Sequence, residues 1–454
     1  MSDAVEREAG LHRGLSTGQM TMIAIGGAIG TGLFLGSAFA ISLAGPAVLV
    51  SYSIGALIAL LLAGALAEMT VAQPTPGSFG VYAEEYVSPL AGFLVRYGYW
   101  SGVTLAIGME ITAVALYMKF WFPDVPGWWW VLGFSAGLIA INALSVKVFG
   151  ALEYVFSLIK VVAIVAFIVL GAVVLFRAEP GSGMGLANLT ADGGFFAKGL
   201  SGVWVAVIVA ILSYLSVEVV AVAAGEAKDP GTAVIRAFRA TVVRLVLFYL
   251  ASLTIMLAIV PWTVAGAGGS PFVKVMEATG VPGAAGVINF VILTAALSAM
   301  NGQLYGATRM MFSLARAGDA PAIFGRLSPQ GAPVAALAIS TLGIAVAAIL
   351  NALVPEQAFT LMISVSIFGA MFAWMMIFVT HLAFRRKVDV SKLAFRVWGH
   401  PYGSLLGAVL MAAILVTTAF TREFHFTLVC GVPFLLALTG AYFIWIKPRM
   451  SGQR

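Results

Sequence analysis

The chain has 454 residues, of which 61% are apolar and 10% are charged. A soluble domain carries roughly 25% charged and about 45–50% apolar residues, so this composition excludes a soluble enzyme, a disordered chain and a disulfide scaffold. The net charge of +6 does not indicate a nucleic-acid partner, because the basic residues are sorted by the loops that carry them. We predict an all-α polytopic membrane protein whose main solvent is the lipid bilayer.

Twelve apolar segments are long enough for a helix that crosses the bilayer, which needs about 20 residues. We number them segments 1 to 12, and they span residues 17–42, 46–72, 89–120, 128–146, 153–176, 199–224, 238–262, 283–312, 333–354, 358–384, 403–421 and 426–446. The loops between them are short, so the chain is predicted to be one membrane domain.

The distribution of Lys and Arg predicts the orientation of these segments. With the N-terminus inside, 19 of the 25 basic residues fall on the inner side, 5 on the outer side and one, Lys160, within segment 5. Such an excess is typical of cytoplasmic loops. We therefore predict that residues 1–16 and 447–454 are cytoplasmic.

Segment 1 contains the run GGAIGTG (26–32), with four glycines in seven residues. Glycine costs about 1 kcal/mol per helical position relative to alanine. Packing through small residues is the alternative explanation, but it needs glycines on one face, and Gly27 and Gly32 lie on other faces. The run favours a broken helix.

Segment 6 places the run SYLSVE (213–218) deep in an apolar stretch. Two interrupted segments at matching positions of two halves indicate a transporter built from inverted repeats. We predict a first five-helix repeat at 17–176 and a second, inverted repeat at 199–384, followed by segments 11 and 12 at 403–446.

Three ionisable residues lie well inside segments: Glu110, Lys160 and Glu218. A charge at the bilayer centre costs at least about 2.5–3.5 kcal/mol, so these residues are candidates for proton coupling, with structural ion pairs as the alternative. A sodium site needs several convergent oxygen atoms, and the sequence leaves that open. Neither HExxH nor a P-loop occurs, so we predict no enzyme, no metal and no cofactor other than a proton gradient.

Eight blocks in the same order resemble amino-acid permeases of the amino acid–polyamine–organocation superfamily, in the bacterial amino acid transporter branch. They include RGLSTGQMTMIAIGGAIGTGLFLGS (13–37), VKVFGALEYVFSLIKV (146–161) and LSAMNGQLYGATRMMFSLARAGDAPAIF (297–324). The resemblance implies a LeuT-type fold of two inverted five-helix repeats with discontinuous segments 1 and 6. It also implies import of amino acids across a bacterial inner membrane, usually with a proton, by alternating access.

The resemblance also implies a substrate site at the two breaks. Backbone amides of segment 1 would bind the substrate carboxylate, and carbonyls of both breaks would bind its amino group. The main-chain positions are Ala28, Ile29, Gly30, Thr31, Gly32, Leu33, Leu212 and Leu215. Side-chain selectivity would come from Glu110, Tyr214, Asn301, Gln303 and Ser364. Lys160 matches a lysine that takes the place of a sodium ion in related proton-coupled permeases, with Glu110 and Glu218 as further coupling candidates.

Segment 6 departs from the F-x-F-x-G-x-E pattern of this branch at two positions, Leu212 and Ser216. The aromatic lid over the substrate is then reduced to Tyr214 or supplied elsewhere. Glu110 discriminates poorly between substrates, so neutral and basic amino acids both remain open. An amino acid or amine exchanger and a non-transporting sensor are the alternative functions, and the oligomeric state is not predicted.

Overall fold

The computed structural model describes residues 7, 11, 13–27, 29–144, 146–179 and 182–448, and most of them are helical. Among these residues, β pairing is limited to an isolated parallel bridge between Leu15 and Ala227. The predicted all-α architecture is confirmed.

Segments 2–5, 8, 10 and 11 each form one main helix. Their bounds are Val48–Ala72, Pro89–Met118, Gly127–Leu144, Val146–Arg177, Ala284–Arg316, Pro355–Lys387 and Tyr402–Thr417. The predicted start of segment 5 was wrong, since its helix begins at Val146 rather than at 153.

The other segments are divided. Their pieces are Thr17–Gly26, Thr31–Phe34 and Gly36–Ala44 in segment 1; Gly199–Tyr214 and Val219–Ala223 in segment 6; Pro230–Arg244, the π-helix Leu245–Ala251 and Ser252–Ile259 in segment 7; Val334–Ser340 and Leu342–Leu353 in segment 9; and His425–Ala441 and the π-helix Tyr442–Ile446 in segment 12. Short helices in the loops include Ser78–Tyr86, Trp262–Ala265 and Pro271–Ala278.

The break in segment 1 falls where the glycine run predicts it. The first helix ends at Gly26, and the chain becomes helical again at Thr31 after an extended Gly30 (φ −136°, ψ −155°). A Cβ atom on Gly30 would lie 2.7 Å from the Cβ of Ala299, so the glycine lets the break pack directly against segment 8. The predicted broken helix is confirmed, although Ala28 lies outside the described residues.

Segment 6 breaks after Tyr214 and becomes helical again at Val219. Between them Ser216 has a positive φ of 75°, a conformation that glycine adopts without strain and other residues rarely adopt. Ser216 therefore adopts a conformation typical of glycine, and segment 6 is interrupted although serine stands where the family pattern has glycine.

The segments form an inner and an outer layer. The buried share was compared over the most apolar 18-residue stretch of each segment. It is 94% in segment 6 and 83% in segment 3, but only 22% in segment 5 and 11% in segment 12. Apolar side chains that stay exposed in segments 5 and 12 are suited to contact with lipid tails. The breaks of segments 1 and 6 thus lie within the inner layer.

Ten helices in the described part of the chain are long and apolar enough to cross a membrane. In this set the second half of segment 1 joins segment 2 as Gly36–Ala72, and segment 7 contributes only the shorter apolar helix Leu247–Ile259. The total of twelve spans therefore stays a prediction, because both differences arise where a segment is divided.

Candidate functional site at the two helix breaks

Glu110 lies in segment 3, and its side chain contacts the break of segment 1. Glu110 is 2% exposed, and its Oε2 accepts a hydrogen bond from the backbone amide of Thr31 at 3.4 Å. Thr31 is the first helical residue after the break, so its amide has no acceptor in a preceding turn. The amide to which the resemblance assigns a substrate carboxylate therefore already binds a carboxyl group of the protein.

Lys160 connects three segments beneath this break. Its Nζ donates hydrogen bonds to the Gly26 carbonyl, to the Ile29 carbonyl at 3.2 Å and to the Ser298 hydroxyl at 2.8 Å. The side chain is fully buried. An ammonium group has three donors, and here all three reach oxygen atoms on segments 1 and 8.

Glu153 lies beside Lys160 and was not among the candidate residues predicted from the sequence. Its Oε1 is 3.9 Å from Lys160 Nζ and accepts a 2.5 Å hydrogen bond from the Ser298 hydroxyl. Its Oε2 accepts from Asn301 Nδ2 at 3.2 Å, and Asn301 Oδ1 accepts from Asn142 at 2.7 Å. We call Lys160, Ser298, Glu153, Asn301 and Asn142 the polar cluster.

A local signal for Glu153 did exist. Glu153 precedes Lys160 by seven residues, and side chains at this spacing share one face of a helix. Because the predicted segment 5 began at residue 153, Glu153 was its first residue and was not counted among the ionisable residues well inside a segment. The helix from Val146 onward places it inside the bundle, where it is fully buried.

The two breaks contact each other directly. The Ser213 hydroxyl of segment 6 donates to the Gly32 carbonyl at 2.6 Å. A Cβ atom on Gly32 would lie 3.1 Å from the Leu212 carbonyl oxygen. Two predicted main-chain positions, Gly32 and Leu212, are therefore adjacent in the fold.

Tyr214 faces a cluster of tyrosines on segments 2 and 7. Its hydroxyl donates to the Tyr52 carbonyl at 3.0 Å, and its ring centroid lies 4.6 Å from that of Tyr249. These contacts direct the Tyr214 side chain toward segments 2 and 7, and its role as a lid stays a prediction.

Glu218 anchors the break of segment 6. Its carboxyl oxygens accept hydrogen bonds from the Tyr99 hydroxyl at 2.9 Å, from Trp374 Nε1 at 3.0 Å and from the Ser216 amide at 3.2 Å. Three donors from segments 3, 6 and 10 hold one buried carboxyl group. The group therefore connects the turn at Ser216 to the two most buried neighbouring helices.

A small cavity of about 10 Å³ lies beside the break of segment 6, and Leu215, Glu218 and Gln303 are among its lining residues. A cavity of this size holds about one water molecule. An amino acid is larger than this cavity. Ser364 lies in segment 10, where its backbone carbonyl accepts a hydrogen bond from the Thr427 hydroxyl at 2.7 Å, and its role in selectivity stays a prediction.

The amino acid permease family model matches residues 19–451. The chain belongs to the amino acid permease family. Three relatives cover nearly all of this permease. The amino acid permease YtnA of Bacillus subtilis is 37% identical over 438 residues, 95% of each chain. The gamma-aminobutyric acid permease of the same organism is 39% identical over 419 residues, 91% of this chain and 89% of the relative. The aromatic amino acid transport protein AroP of Salmonella typhimurium is 37% identical over 423 residues, 93% of each chain.

The fold is shared with a solved transporter. The crystal structure of a manganese transporter from Eremococcus coleocola matches this permease with a TM-score of 0.58 at 15% identity, over 93% of this chain and 92% of that one. The predicted LeuT/APC-type fold is thus confirmed, and the permease is a multi-pass protein of a bacterial inner membrane.

Proposed function

We propose that this permease imports amino acids together with protons by alternating access, and that Lys160 is the proton-coupling group. One observation carries the proposal: the buried Lys160 ammonium joins the break of segment 1 to Ser298 of segment 8. Loss of its proton removes a charge and a donor from this junction. Segments 1 and 8 are then held together less tightly, which links protonation to movement.

The proposed substrate site follows from the Thr31 amide. On our proposal the substrate carboxylate replaces Glu110 there and at the neighbouring Gly32 and Leu33 amides. Glu110 then faces the substrate amino group, to which main-chain carbonyls at 28, 212 and 215 also contribute. Gln303 lines the adjoining cavity and is placed to contact the substrate side chain.

We also propose that both termini are cytoplasmic and that residues 17–176 and 199–384 are inverted repeats. The excess of basic residues on one side supports the orientation. The positions of the breaks in segments 1 and 6 support the repeats. Import then moves substrate from the ends of segments 1 and 3 toward their starts.

The coupling role is tested in proteoliposomes with a ¹⁴C-labelled mixture of the twenty amino acids and ¹⁴C-labelled gamma-aminobutyric acid. An inward proton gradient should drive accumulation by the wild type, and Lys160→Ala should abolish it. Lys392→Ala is the matched control, because that side chain is 83% exposed. Normal accumulation by Lys160→Ala would show that the coupling group lies elsewhere.

The same vesicles separate the alternative functions. An exchanger takes up label only into vesicles preloaded with unlabelled amino acids, whatever the pH gradient. A sensor binds amino acids but moves none. Either result would contradict the proposed import with protons.

A thermal-shift screen against the same compounds identifies the substrate class, because a ligand that binds the folded state raises its apparent stability. Thr31→Trp should remove that shift, since Thr31 is fully buried at the break and an indole would fill the site. An unchanged ligand-induced shift in Thr31→Trp would place the substrate site elsewhere.

A further inference from the structure

We propose that Ser298 and Glu153 form a proton relay that takes the proton from Lys160 toward the cytoplasmic start of segment 5. The inference rests on the proposed function, in which Lys160 carries the coupling proton. It goes further by naming where that proton goes.

The hydrogen-bond directions carry the argument. Lys160 Nζ donates to Ser298 Oγ at 2.8 Å, and the same Oγ donates to Glu153 Oε1 at 2.5 Å. Ser298 is thus an acceptor from the amine and a donor to the carboxylate. A hydroxyl with this pair of bonds can pass a proton without leaving its place.

The step balances in atoms and charge. The N–H bond of Lys160 breaks as Ser298 Oγ takes that proton, and the original O–H bond of Ser298 breaks as its proton joins Glu153 Oε1. The products are a neutral amine, an intact hydroxyl and a neutral carboxylic acid. No electron is transferred and no co-reactant is needed.

Burial favours this step over simple loss of the proton. Lys160, Glu153 and Ser298 all have zero exposure, and an isolated charge in such a site is costly. If Lys160 lost its proton elsewhere, the Glu153 carboxylate would remain buried without its partner. Transfer along the relay neutralises both groups together.

The other groups that face Glu153 do not compete for the proton. Ser157 of segment 5 donates to Glu153 Oε1 at 3.4 Å, and Asn301 of segment 8 donates to Oε2. Asn142 of segment 4 reaches it only through Asn301. None of these side chains carries a charge.

Glu226 and Arg309 form a further buried charged pair, whose groups bind each other. Glu226 accepts from Arg309 Nε at 2.8 Å and from the Tyr305 hydroxyl at 2.6 Å. Phe149 stacks on Tyr305 with ring centroids 4.3 Å apart. Phe149 lies between Val146, where segment 5 begins, and Glu153 along the helix. On this proposal the proton leaves Glu153 when the stacked pair of Phe149 and Tyr305 separates.

Position along the helix gives the relay its direction. Glu153 precedes Lys160 by seven residues, about 10 Å of helix. It therefore lies nearer to Val146, where segment 5 begins. With that end in the cytoplasm, the relay moves the proton inward, in the direction of import.

The test separates coupled uptake from substrate movement alone, in proteoliposomes with the labelled mixture described above. Under an inward proton gradient, Glu153→Gln and Ser298→Ala should each reduce the accumulation of label at least about tenfold relative to the wild type. A loss of this size is expected when a proton-transfer group is removed. Exchange at equal pH on both sides should stay within about threefold, because the substrate contacts are unchanged.

Two further variants separate a relay from a structural role. Ser298→Thr keeps the hydroxyl and should restore accumulation. The double variant Glu153→Gln/Ser298→Ala should accumulate as much label as Glu153→Gln alone, because the effects of two substitutions in one relay do not add. The matched control is Ser366→Ala, a buried serine that donates to the Ile363 carbonyl of its own helix, and it should behave as the wild type.

Each remaining outcome decides the inference. If Lys160→Ala is uncoupled while Glu153→Gln and Ser298→Ala accumulate normally, the relay is wrong and the proposed function stands. If the wild type ignores the proton gradient, the proposed function fails and the relay fails with it. If Glu153→Gln loses exchange as well, Ser298→Ala decides, and its normal accumulation overturns the relay.

Discussion

Gly32 in segment 1 lies against Ser213 in segment 6, and a Cβ atom on Gly32 would stand 2.6 Å from Ser213 Cα. The Leu212 carbonyl oxygen would lie 3.1 Å away. Both neighbours are backbone atoms, which cannot turn aside as a flexible side chain can. The two broken segments therefore approach as closely as glycine permits.

Gly32→Ala should destabilise the permease and reduce transport, because the methyl group forces the two breaks apart. Overpacking of this kind costs about 1–3 kcal/mol. The matched control is Gly137→Ala in segment 4, where a Cβ meets nothing within 4 Å. Thermal unfolding of the purified protein checks the prediction, and equal melting temperatures for the two variants would contradict it.

The breaks were predictable from the sequence because their signals are local. Glycines at 26–32 and the polar run at 213–218 interrupt otherwise apolar segments. Both interruptions appear in the structure at those places. The π-helix Leu245–Ala251 was not predictable in the same way, since its sequence LVLFYLA carries neither glycine nor proline.

The contacts between segments 5 and 8 in the polar cluster were beyond prediction for a different physical reason. Glu153 and Ser298 are separated by 145 residues in the chain, and they meet only because segments 5 and 8 pack together. Asn301, whose contact with substrate stays a prediction, bonds to Glu153 and Asn142 in the structure. Apolar patterning shows which residues enter the membrane, whereas helix packing decides which polar residues meet.

Ser216→Gly should stabilise the permease. Ser216 has a φ of 75°, and backbone strain of this type costs on the order of 1–3 kcal/mol for a residue other than glycine. Glycine removes the strain but has more freedom in the unfolded chain, so we expect a net gain of about 1 kcal/mol. The Ser216 amide bond to Glu218 is retained, because it is a backbone bond. A melting temperature at or below that of the wild type would contradict the prediction.

Arg309→Met should destabilise the permease by about 3–5 kcal/mol, because it leaves the Glu226 carboxylate buried without its partner. Arg309 is 4% exposed, and its Nε and Nη2 donate to the two oxygens of Glu226. The exposed pair of Lys392 and Asp389 offers the comparison: Lys392→Met should cost less than about 1 kcal/mol. Denaturation midpoints of the two variants and the wild type, measured in the same detergent, give the two losses of stability. Similar losses for Arg309→Met and Lys392→Met would show that burial of the pair does not matter.

Asp319→Asn should make the stability of the permease depend less on pH. Asp319 lies in the loop after segment 8, and burial raises its pKa to about 7 although Arg96, with Nη1 3.9 Å away, lowers it. The folded state therefore holds this proton more tightly than the unfolded state, whose Asp pKa is about 3.9. The stability that the protonated acid contributes is complete below about pH 4 and is lost as pH rises toward 7. Since Asn cannot ionise, the melting temperature of the variant minus that of the wild type should rise between those values and then level off. A difference that stays constant over this range would show that Asp319 is already ionised in the folded protein at low pH.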